Sequence, residues 1–229
     1  MTPHFGESID RNPALLLARA GWLNVSDRIL SGACHDLNGR LSSLDGLAQL
    51  LTLDGAEGTP VIPYLKEEIS KLETVVSLLR LFPGDLMAVP EPMTPTDLVD
   101  DVVRLHRKHR GLESQATTYS CEDGLPPVLV NRARVGRGLL ILMAWIGRTA
   151  LDSGAGSLEI RAEAEGEAVA LRLEGKDAGN GTLDLGVDAA APEVAALRDL
   201  LRLDGGELDI EDRLIAVRLP SLAEARRRK

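Results

Sequence analysis

The sequence predicts an α+β protein: an N-terminal antiparallel helical hairpin followed by a C-terminal α/β sandwich. The first observation is a seven-residue spacing of leucines between positions 30 and 51, which is typical of a helix with one apolar seam. The second is a proline-rich segment at 83–95, where the composition changes. The third is a pair of alternating apolar and polar segments, 157–164 and 168–174, around a glycine turn, which predicts two paired strands.

These changes in composition divide the chain into three regions. Residues 1–82 are predicted to form the helical hairpin, residues 83–95 a linker, and residues 96–229 the α/β domain. Apolar residues make up 44% of the 229 residues, so a substantial core can be buried. Aromatic residues make up only 3%, and we therefore expect a core built from Leu, Val, Ile and Ala.

The first region begins with two predicted helices. Residues 12–23 indicate a short helix with Pro13 in its first turn, and the segment 24–27 then predicts the start of a second helix that runs to Leu53. Along this second helix, apolar residues repeat at positions a and d of a heptad. The d positions are Leu30, Leu37, Leu44 and Leu51, and the a positions are Cys34, Leu41 and Ala48.

Another helix completes the hairpin after a glycine-containing loop at 54–60. It is predicted to end near Leu81, and its apolar seam consists of Ile62, Leu65, Ile69, Leu72, Val76 and Leu79. One hairpin cannot bury both of its seams, so two solutions are open. Two chains pair their hairpins in a four-helix bundle, which we expect, or the hairpin packs on the C-terminal half of its own chain.

The C-terminal region predicts a mostly antiparallel sheet with helices on one face. Besides the two paired strands, its pattern indicates three helices, one further strand and a closing hairpin. The helices are expected at 96–110, 132–151 and 192–203, the strand at 116–121 and the hairpin at 206–219.

Charge and composition exclude several classes of function. The formal net charge of −9 argues against binding of nucleic acid or of an anionic membrane across the whole surface. The two cysteines, Cys34 and Cys121, make neither a disulfide framework nor a metal-binding spacing. The first residues lack the pattern of a signal peptide, and the longest apolar run, 139–146, is too short to span a bilayer. We therefore expect a cytoplasmic protein.

Two of the four histidines, His106 and His109, stand three residues apart on the predicted helix 96–110. This spacing is compatible with a metal site, but neither a carboxylate nor a thiolate lies close by in sequence. The neighbouring residues are instead basic: Arg104, Arg107, Lys108 and Arg110. We expect a solvated basic face here and no bound metal.

His35 lies at position b of the heptad, on the outer face of its helix. This excludes a core histidine, and the lack of a second suitable ligand one turn away argues against a metal ligand. Two interpretations stay open: an exposed histidine without a role, or a group that carries chemistry. The adjacent Asp36 favours chemistry, because a carboxylate beside an imidazole fixes its tautomer and makes the other ring nitrogen more nucleophilic. Gly39, one turn further on, leaves bare backbone where a partner can approach closely.

The stretch Cys-His-Asp-Leu-Asn-Gly-Arg-Leu at 34–41 resembles the H-box of two-component histidine kinases and histidine phosphotransferases. In that box a histidine is followed by an acidic residue, a leucine, three variable residues and a second leucine. The family places the box on the first helix of a dimerisation hairpin, which agrees with the hairpin predicted above. The resemblance implies that His35 accepts a phosphoryl group and that Asp36 orients or deprotonates it.

The C-terminal region resembles the ATP-binding domain of the same kinases. The run 125–128, the helix that follows it, the segment 203–208 and the strand 217–220 have the order and spacing of that domain. The resemblance thus extends over about residues 26–220. It implies an α/β sandwich beside the phosphotransfer hairpin.

Three departures from the family pattern imply that this domain has lost its nucleotide. The asparagine that holds magnesium in the family would fall near Trp145, whose indole offers no oxygen, and no asparagine occurs between Asn131 and Asn180. Residues 177–181 fit the family's adenine-binding string, but a polar turn is the expected structure for so short a match. Residues 186–191 stand in place of the second glycine-rich segment and the flexible lid. We expect neither a bound nucleotide nor a bound metal in this chain.

A hairpin with a phospho-accepting histidine and a degenerate ATPase-like domain resembles the ChpT type of histidine phosphotransferase. That resemblance implies a homodimer that passes phosphate between the aspartates of response-regulator receiver domains, with Mg²⁺ held by the receiver. The receiver is expected to dock near Asn38, Gly39 and Arg40. Gly39 stands where phosphatase-competent kinases carry a side chain that positions water, so hydrolysis should be weak. The alternatives are an atypical histidine kinase that binds ATP through 177–181 and a non-enzymatic pseudokinase adaptor.

Overall fold

A computed structural model describes residues 13–53, 61–79, 86, 88–152, 157–177, 181–184, 188, 191–211 and 214–227. Six helices and seven strands lie within these ranges. The helices are α1 (Pro13–Leu53), α2 (Val61–Leu79), α3 (Pro95–His106), α4 (Arg132–Asp152), α5 (Pro192–Arg202) and α6 (Leu222–Arg227). The strands are β1 (Glu91–Met93), β2 (Ala116–Cys121), β3 (Val128–Val130), β4 (Ser157–Glu165), β5 (Ala168–Lys176), β6 (Glu207–Glu211) and β7 (Leu214–Pro220).

A five-stranded sheet organises the C-terminal half, with its strands in the order β2-β4-β5-β7-β6. Strands β2 and β4 run parallel, and every other neighbouring pair in this sheet is antiparallel. The β4–β5 hairpin turns at Gly166, whose φ of +62° lies in the left-handed region that favours glycine. Strands β1 and β3 form a separate antiparallel pair. The predicted α+β class, with a helical hairpin before a mostly antiparallel sheet, is confirmed.

The inner face of the sheet and helix α4 share one hydrophobic core. Side chains alternate across each strand, and the inward ones are apolar. They are Leu158, Ile160 and Ala162 on β4, Leu171 and Leu173 on β5, and Ile215, Val217 and Leu219 on β7. Residues 139–144 of α4 are all buried, because this helix also packs against α1, α3 and α5. A helix that is apolar all round needs this cover, which explains the uninterrupted apolar run in its sequence.

The outward side chains of the sheet are charged and pair with one another. Arg161 donates to Glu159 at 2.8 Å along β4, and Arg172 on β5 pairs with Glu163 on β4. Exposed pairs of this kind add little stability each. They keep this face of the sheet polar, as expected if the helices cover only the opposite face.

Helix α1 is a single helix of 41 residues, so the predicted division near residues 24–27 is wrong. Ser26 does not cap a new helix, because its hydroxyl donates to the Leu23 carbonyl at 3.0 Å within the same helix. The reason lies in tertiary packing: Val25 is buried and belongs to the same cluster as the C-terminal core. This packing outweighs the capping tendency of the local sequence.

The apolar surface of the hairpin is divided between a buried part and an exposed part. Ile29 of α1 and Leu78 of α2 join the C-terminal core, so the hairpin packs in part on its own chain. The remaining seam is exposed or half-buried on both helices. Its large exposed side chains include Leu41, Leu51, Ile62, Ile69 and Val76.

The predicted solvated face at His106 and His109 is wrong. Helix α3 ends at His106, so His109 lies in the following turn, and the two residues are only 2% and 5% exposed. His106 Nδ1 lies 3.3 Å from Thr117 Oγ1 on β2, and the two imidazole rings stack with centroids 6.3 Å apart. Burial, and then the neighbouring His109, lower the pKa of His106 to about 4. The packing of α3 against β2 therefore takes these rings out of water in their neutral form.

Some short elements were not predicted from the sequence. Strand β1 lies inside the segment 83–95 that was predicted as a linker, and it pairs with β3. The prolines of this segment favoured the prediction of a linker. Proline is nevertheless acceptable on an edge strand, where its missing N–H faces away from the hydrogen-bonded ladder. The predicted loop 54–60 lies outside the described residues. No helix within the described ranges has both the length and the apolar content needed to cross a bilayer.

Candidate functional site

His35 lies near the middle of α1 and is exposed, which agrees with position b of the heptad. In the described part of the chain, its imidazole has neither a hydrogen-bond partner nor an ion-pair partner. The same ranges contain no cluster of three or more histidine, cysteine or acidic side chains that could hold a metal ion. The ring is thus accessible to a protein partner on the outer face of the hairpin.

The neighbouring Asp36 is engaged with the C-terminal half of the chain. Its Oδ2 accepts a hydrogen bond from the ammonium group of Lys108, in the turn that follows α3. About a third of the Asp36 side chain (31%) and a quarter of the Lys108 side chain (25%) remain exposed. The pair is therefore partly desolvated, and it fixes the carboxylate beside His35. That Asp36 orients the imidazole stays a prediction.

A glycine makes a second contact with the same turn. The backbone of Gly32 packs on Lys108 so closely that a β-carbon at Gly32 would lie 2.9 Å from the Lys108 carbonyl carbon and nearer still to its oxygen. One turn earlier, the Arg110 amide donates to the Arg28 carbonyl at 3.2 Å. These contacts were not predicted from the sequence. Gly32, a glycine inside a helix and one turn before Asp36, is the feature from which a close approach could have been predicted.

The three residues proposed for docking do not share one environment. Asn38 and Gly39 are exposed, and their carbonyls accept hydrogen bonds from the Ser42 and Ser43 hydroxyls. A β-carbon at Gly39 would meet nothing within 4 Å, so the backbone faces open space there. Arg40 instead donates to Glu68 of α2 at 3.2 Å, across the hairpin.

An open groove of about 530 Å³ begins one turn before His35. It is lined by Leu23, Asn24, Asp27, Arg28 and Ser31. Ser31 and His35 are four residues apart, so the groove and the imidazole lie along the same side of α1. A partner that covers His35 can also reach this groove.

Several polar residues in the segments that resemble the kinase ATP-binding domain make contacts within this chain. Asn131 caps α4: its Oδ1 accepts from the Arg134 amide at 3.0 Å and its Nδ2 donates to the Ala88 carbonyl at 3.0 Å. Asp177 and Gly181 bond to each other, with the Gly181 amide donating to Asp177 Oδ1 at 2.7 Å. Residues 178–180 lie outside the described residues, and the polar turn expected there stays a prediction. Trp145 lies on α4, partly buried against the core.

A buried ion pair secures the segment 203–208. Arg134 of α4 donates two hydrogen bonds to Asp204, at 3.0 and 2.9 Å, and the Asp204 side chain is fully buried. Burial raises the pKa of Asp204 above its ordinary value, although the Arg134 guanidinium acts in the opposite direction. The pair joins the first turn of α4 to the turn after α5, so these motif residues have a structural role.

Comparison with known proteins gives matches only among solved structures. No protein-family model matches the chain, and no curated protein matches its sequence. The Acinetobacter baumannii histidine kinase AdeS is 16% identical with a TM-score of 0.45, over 82% of this chain and 98% of that one. A bacterial phosphotransferase is 16% identical (TM-score 0.39; 86% and 96%), and the ATP-binding domain of PrrB from Mycobacterium tuberculosis is 17% identical (TM-score 0.43; 58% and 98%).

Proposed function

We propose that this protein is a cytoplasmic phosphorelay histidine phosphotransferase. His35 takes a phosphoryl group from the phospho-aspartate of one response-regulator receiver domain and gives it to the aspartate of another. The observation that carries the proposal is the exposed imidazole of His35, followed by Asp36, within an H-box-like sequence on the open face of a helical hairpin. The open backbone at Gly39 supports close docking on the same face.

The transfer needs only groups that the two proteins supply. The lone pair of one His35 nitrogen attacks phosphorus in line, a P–N bond forms, and the P–O bond to the receiver aspartate breaks, so that this aspartate leaves as a carboxylate. The proton on the other ring nitrogen stays in place. Mg²⁺ comes with the receiver, whose acidic pocket suits a hard cation. Positioning and charge neutralisation supply most of the acceleration in such a transfer.

The proposal includes no autophosphorylation from ATP. By the resemblance, the magnesium-holding asparagine would fall near Trp145, whose indole has no oxygen to offer a hard cation. Asp177, which begins the string similar to the adenine-binding motif, accepts a hydrogen bond from the Gly181 amide of the same string. Both observations support a domain that serves as a scaffold for the hairpin.

Two chains are proposed to pair through their hairpins as a four-helix bundle. The exposed seam residues of both helices support this, because a contiguous apolar surface of this kind is normally covered in solution. Leu41 is 55% exposed and Ile69 is 48% exposed. His35 lies off this seam, so it stays accessible in the dimer.

The direct test mixes the protein with receiver domains that carry a radiolabelled phospho-aspartate. Label is expected to move to the wild-type protein and to Ser70→Ala, a change at an exposed polar residue of α2 outside the seam, but not to His35→Gln. The labelled product should be acid-labile and base-stable, as a phosphohistidine is. Labelling from ATP without a receiver would instead establish a kinase, and receiver binding that is unaffected by His35→Gln, with no labelling, would establish an adaptor.

Weak phosphatase activity is part of the proposal. Gly39 has no side chain to position a water molecule for attack on the receiver's phospho-aspartate. The labelled receiver should therefore lose phosphate mainly to His35 and only slowly to water. Rapid release of inorganic phosphate that depends on the wild-type protein would contradict this, and Gly39→Thr provides the comparison in which hydrolysis is expected to rise.

A further inference from the structure

The segment Arg-Lys-His-Arg at 107–110, here called the basic turn, has no role in the function proposed so far. It follows α3 and lies far from the hairpin in sequence. Lys108 and Asp36 are 72 residues apart, yet their side chains meet. The fold thus brings a cluster of cations to the residue next to His35, on a chain whose net charge is −9.

Three contacts hold the basic turn on α1, and they fall on one stripe of the helix. The turn touches α1 at Arg28, Gly32 and Asp36, which are spaced four residues apart. Residues spaced in this way lie one above the other on a helix. The stripe is next to the one that carries Ser31 and His35. The basic turn therefore forms one side of the surface on which His35 is exposed.

The basic turn is also held from below, so its charges have fixed positions. The rings of His106, just before the turn, and of His109, within it, are buried. The Arg107 guanidinium donates to the Thr117 carbonyl of β2 at 2.7 Å. The Lys108 amide donates to Leu105 at 2.9 Å as α3 ends. A preorganised cation stabilises charge on a ligand better than a mobile one, because it needs no reorganisation when the charge arrives.

The cationic side chains of the basic turn differ in their partners and in their exposure. Lys108 is paired with Asp36, and Arg107 is bonded to a backbone carbonyl. Among the described residues, Arg110 has one distant carboxylate near its guanidinium, that of Glu113 at 3.8 Å, and 40% of its side chain is exposed. The Asp36 carboxylate would repel an incoming phosphoryl group, and the paired Lys108 cancels that repulsion.

We propose that the basic turn is the second wall of the phosphotransfer site and that Lys108 is its positioning residue. This inference rests on the proposed function and extends it. Lys108 neutralises Asp36 while the receiver docks, and its ammonium, held on the residue next to His35, offsets charge on the phosphoryl group as the P–N bond forms. Arg110 and Arg28 attract the acidic pocket of the receiver. The bonds made and broken are those of the transfer itself.

The test compares Lys108→Met with Lys108→Arg. Methionine keeps most of the aliphatic stem and removes the charge, whereas arginine restores it. We expect single-turnover transfer from a saturating phospho-receiver to His35 to slow by about 10-fold or more in Lys108→Met, as for loss of a preorganised charge, and to recover to within about threefold in Lys108→Arg. Lys176→Met is the matched control, because Lys176 is also paired with a carboxylate but lies on β5.

Each outcome decides one question. A rate for Lys108→Met within twofold of the wild type overturns the inference, and so does an equal loss in Lys176→Met, which would reflect a general effect of charge or stability. Asp36→Asn gives a second variant: the effect of Lys108→Met should be smaller in that background, because the carboxylate to be neutralised is gone. Failure of the wild type to accept phosphate on His35 would overturn the proposed function instead, which the His35→Gln comparison reveals separately.

Discussion

The two ends of α1 carry similar apolar residues but have different surroundings. Toward its N-terminus, Val25, Ile29 and Ala33 are buried, and the first two join the core of the same chain. From Cys34 to Leu51 no apolar residue of α1 is buried: Leu37 and Leu44 are half-buried, and Leu41 and Leu51 are exposed. One helix thus carries a closed half and an open half, and His35 lies at the boundary between them.

This difference shows how a single apolar pattern can serve two purposes. The closed half attaches the hairpin to its own C-terminal domain, and the open half is free for a second chain. The two solutions left open by the sequence are therefore compatible: the closed half packs on its own chain, and pairing of two chains through the open half stays a prediction. A histidine at the boundary is close to a rigid wall on one side and to open space on the other.

The largest expected effect contrasts a buried residue with an exposed one on α1. Ile29→Ala should lower the free energy of unfolding by about 2–4 kcal/mol, because it removes a fully buried side chain and leaves a cavity. Leu41→Ala should change it by less than about 1 kcal/mol at concentrations where the protein is monomeric. Urea unfolding followed by circular dichroism measures both. Equal losses would show that the open half is also closed within one chain.

The next effect concerns only the open half. The substitution Ile69→Lys places a charge in the proposed seam. We expect it to raise the Kd for dimer formation by about 100-fold, equivalent to about 3 kcal/mol. Analytical ultracentrifugation over a concentration series measures this. Ser77→Lys, a change at an exposed polar residue of the same helix, is the control and should leave the Kd unchanged. A wild-type protein that stays monomeric at every concentration would refute the dimer.

Substitutions at two glycines of α1, Gly32 and Gly39, test where the closed half ends and the open half begins. Gly32→Ala should cost about 1–3 kcal/mol, because its β-carbon overlaps the Lys108 carbonyl and forces the basic turn off the helix. Gly39→Ala should instead stabilise the monomer by up to about 1 kcal/mol, since its β-carbon meets open space and alanine is the better helix former. Thermal and urea unfolding should give opposite signs for the two variants. The same sign for both would contradict the close contact at Gly32.

The last expected effect is a dependence of stability on pH that arises at His106, next to the basic turn on which α1 packs. His106 has a folded pKa of about 4, below its ordinary 6.5, so the unfolded chain binds the proton more tightly between these values. Stability is therefore full above about pH 6.5 and falls as the pH decreases toward 4. We expect a loss of about 2 kcal/mol between pH 7.5 and pH 5 from this residue. Chemical unfolding at both pH values, with His106→Gln as the comparison, should show a smaller loss in the variant.

The long periodic elements could be predicted from the sequence because burial repeats locally in them. The alternation in β4 and β5 and the apolar run of α4 each report the environment of their own residues. The position of His35 on the outer face follows from the same heptad. Strand β1 could not be predicted in this way. It has only three residues and its partner β3 is equally short, so neither strand is long enough to show a recognisable alternation.

The rest of the candidate site depends on contacts that no local pattern records. Lys108 reaches Asp36 across 72 residues, and the burial of His106 follows from where α3 meets β2. A basic stretch in a sequence usually indicates a solvated surface, and for Arg107 at the surface this holds. The histidines between those cations are buried because the chain turns there, and a turn of this kind is set by tertiary packing.

The unbroken length of α1 also has a mechanical consequence. From Asp36 to Leu53 the helix extends for about 27 Å at 1.5 Å per residue. It contacts the C-terminal half up to Asp36 and carries its exposed apolar surface further out, paired with α2. A tilt of the hairpin by about 5° at the basic turn would move the far end by roughly 2 Å over this length. His35 lies beside the point of attachment, so the same tilt would displace its ring much less than the tip of the hairpin.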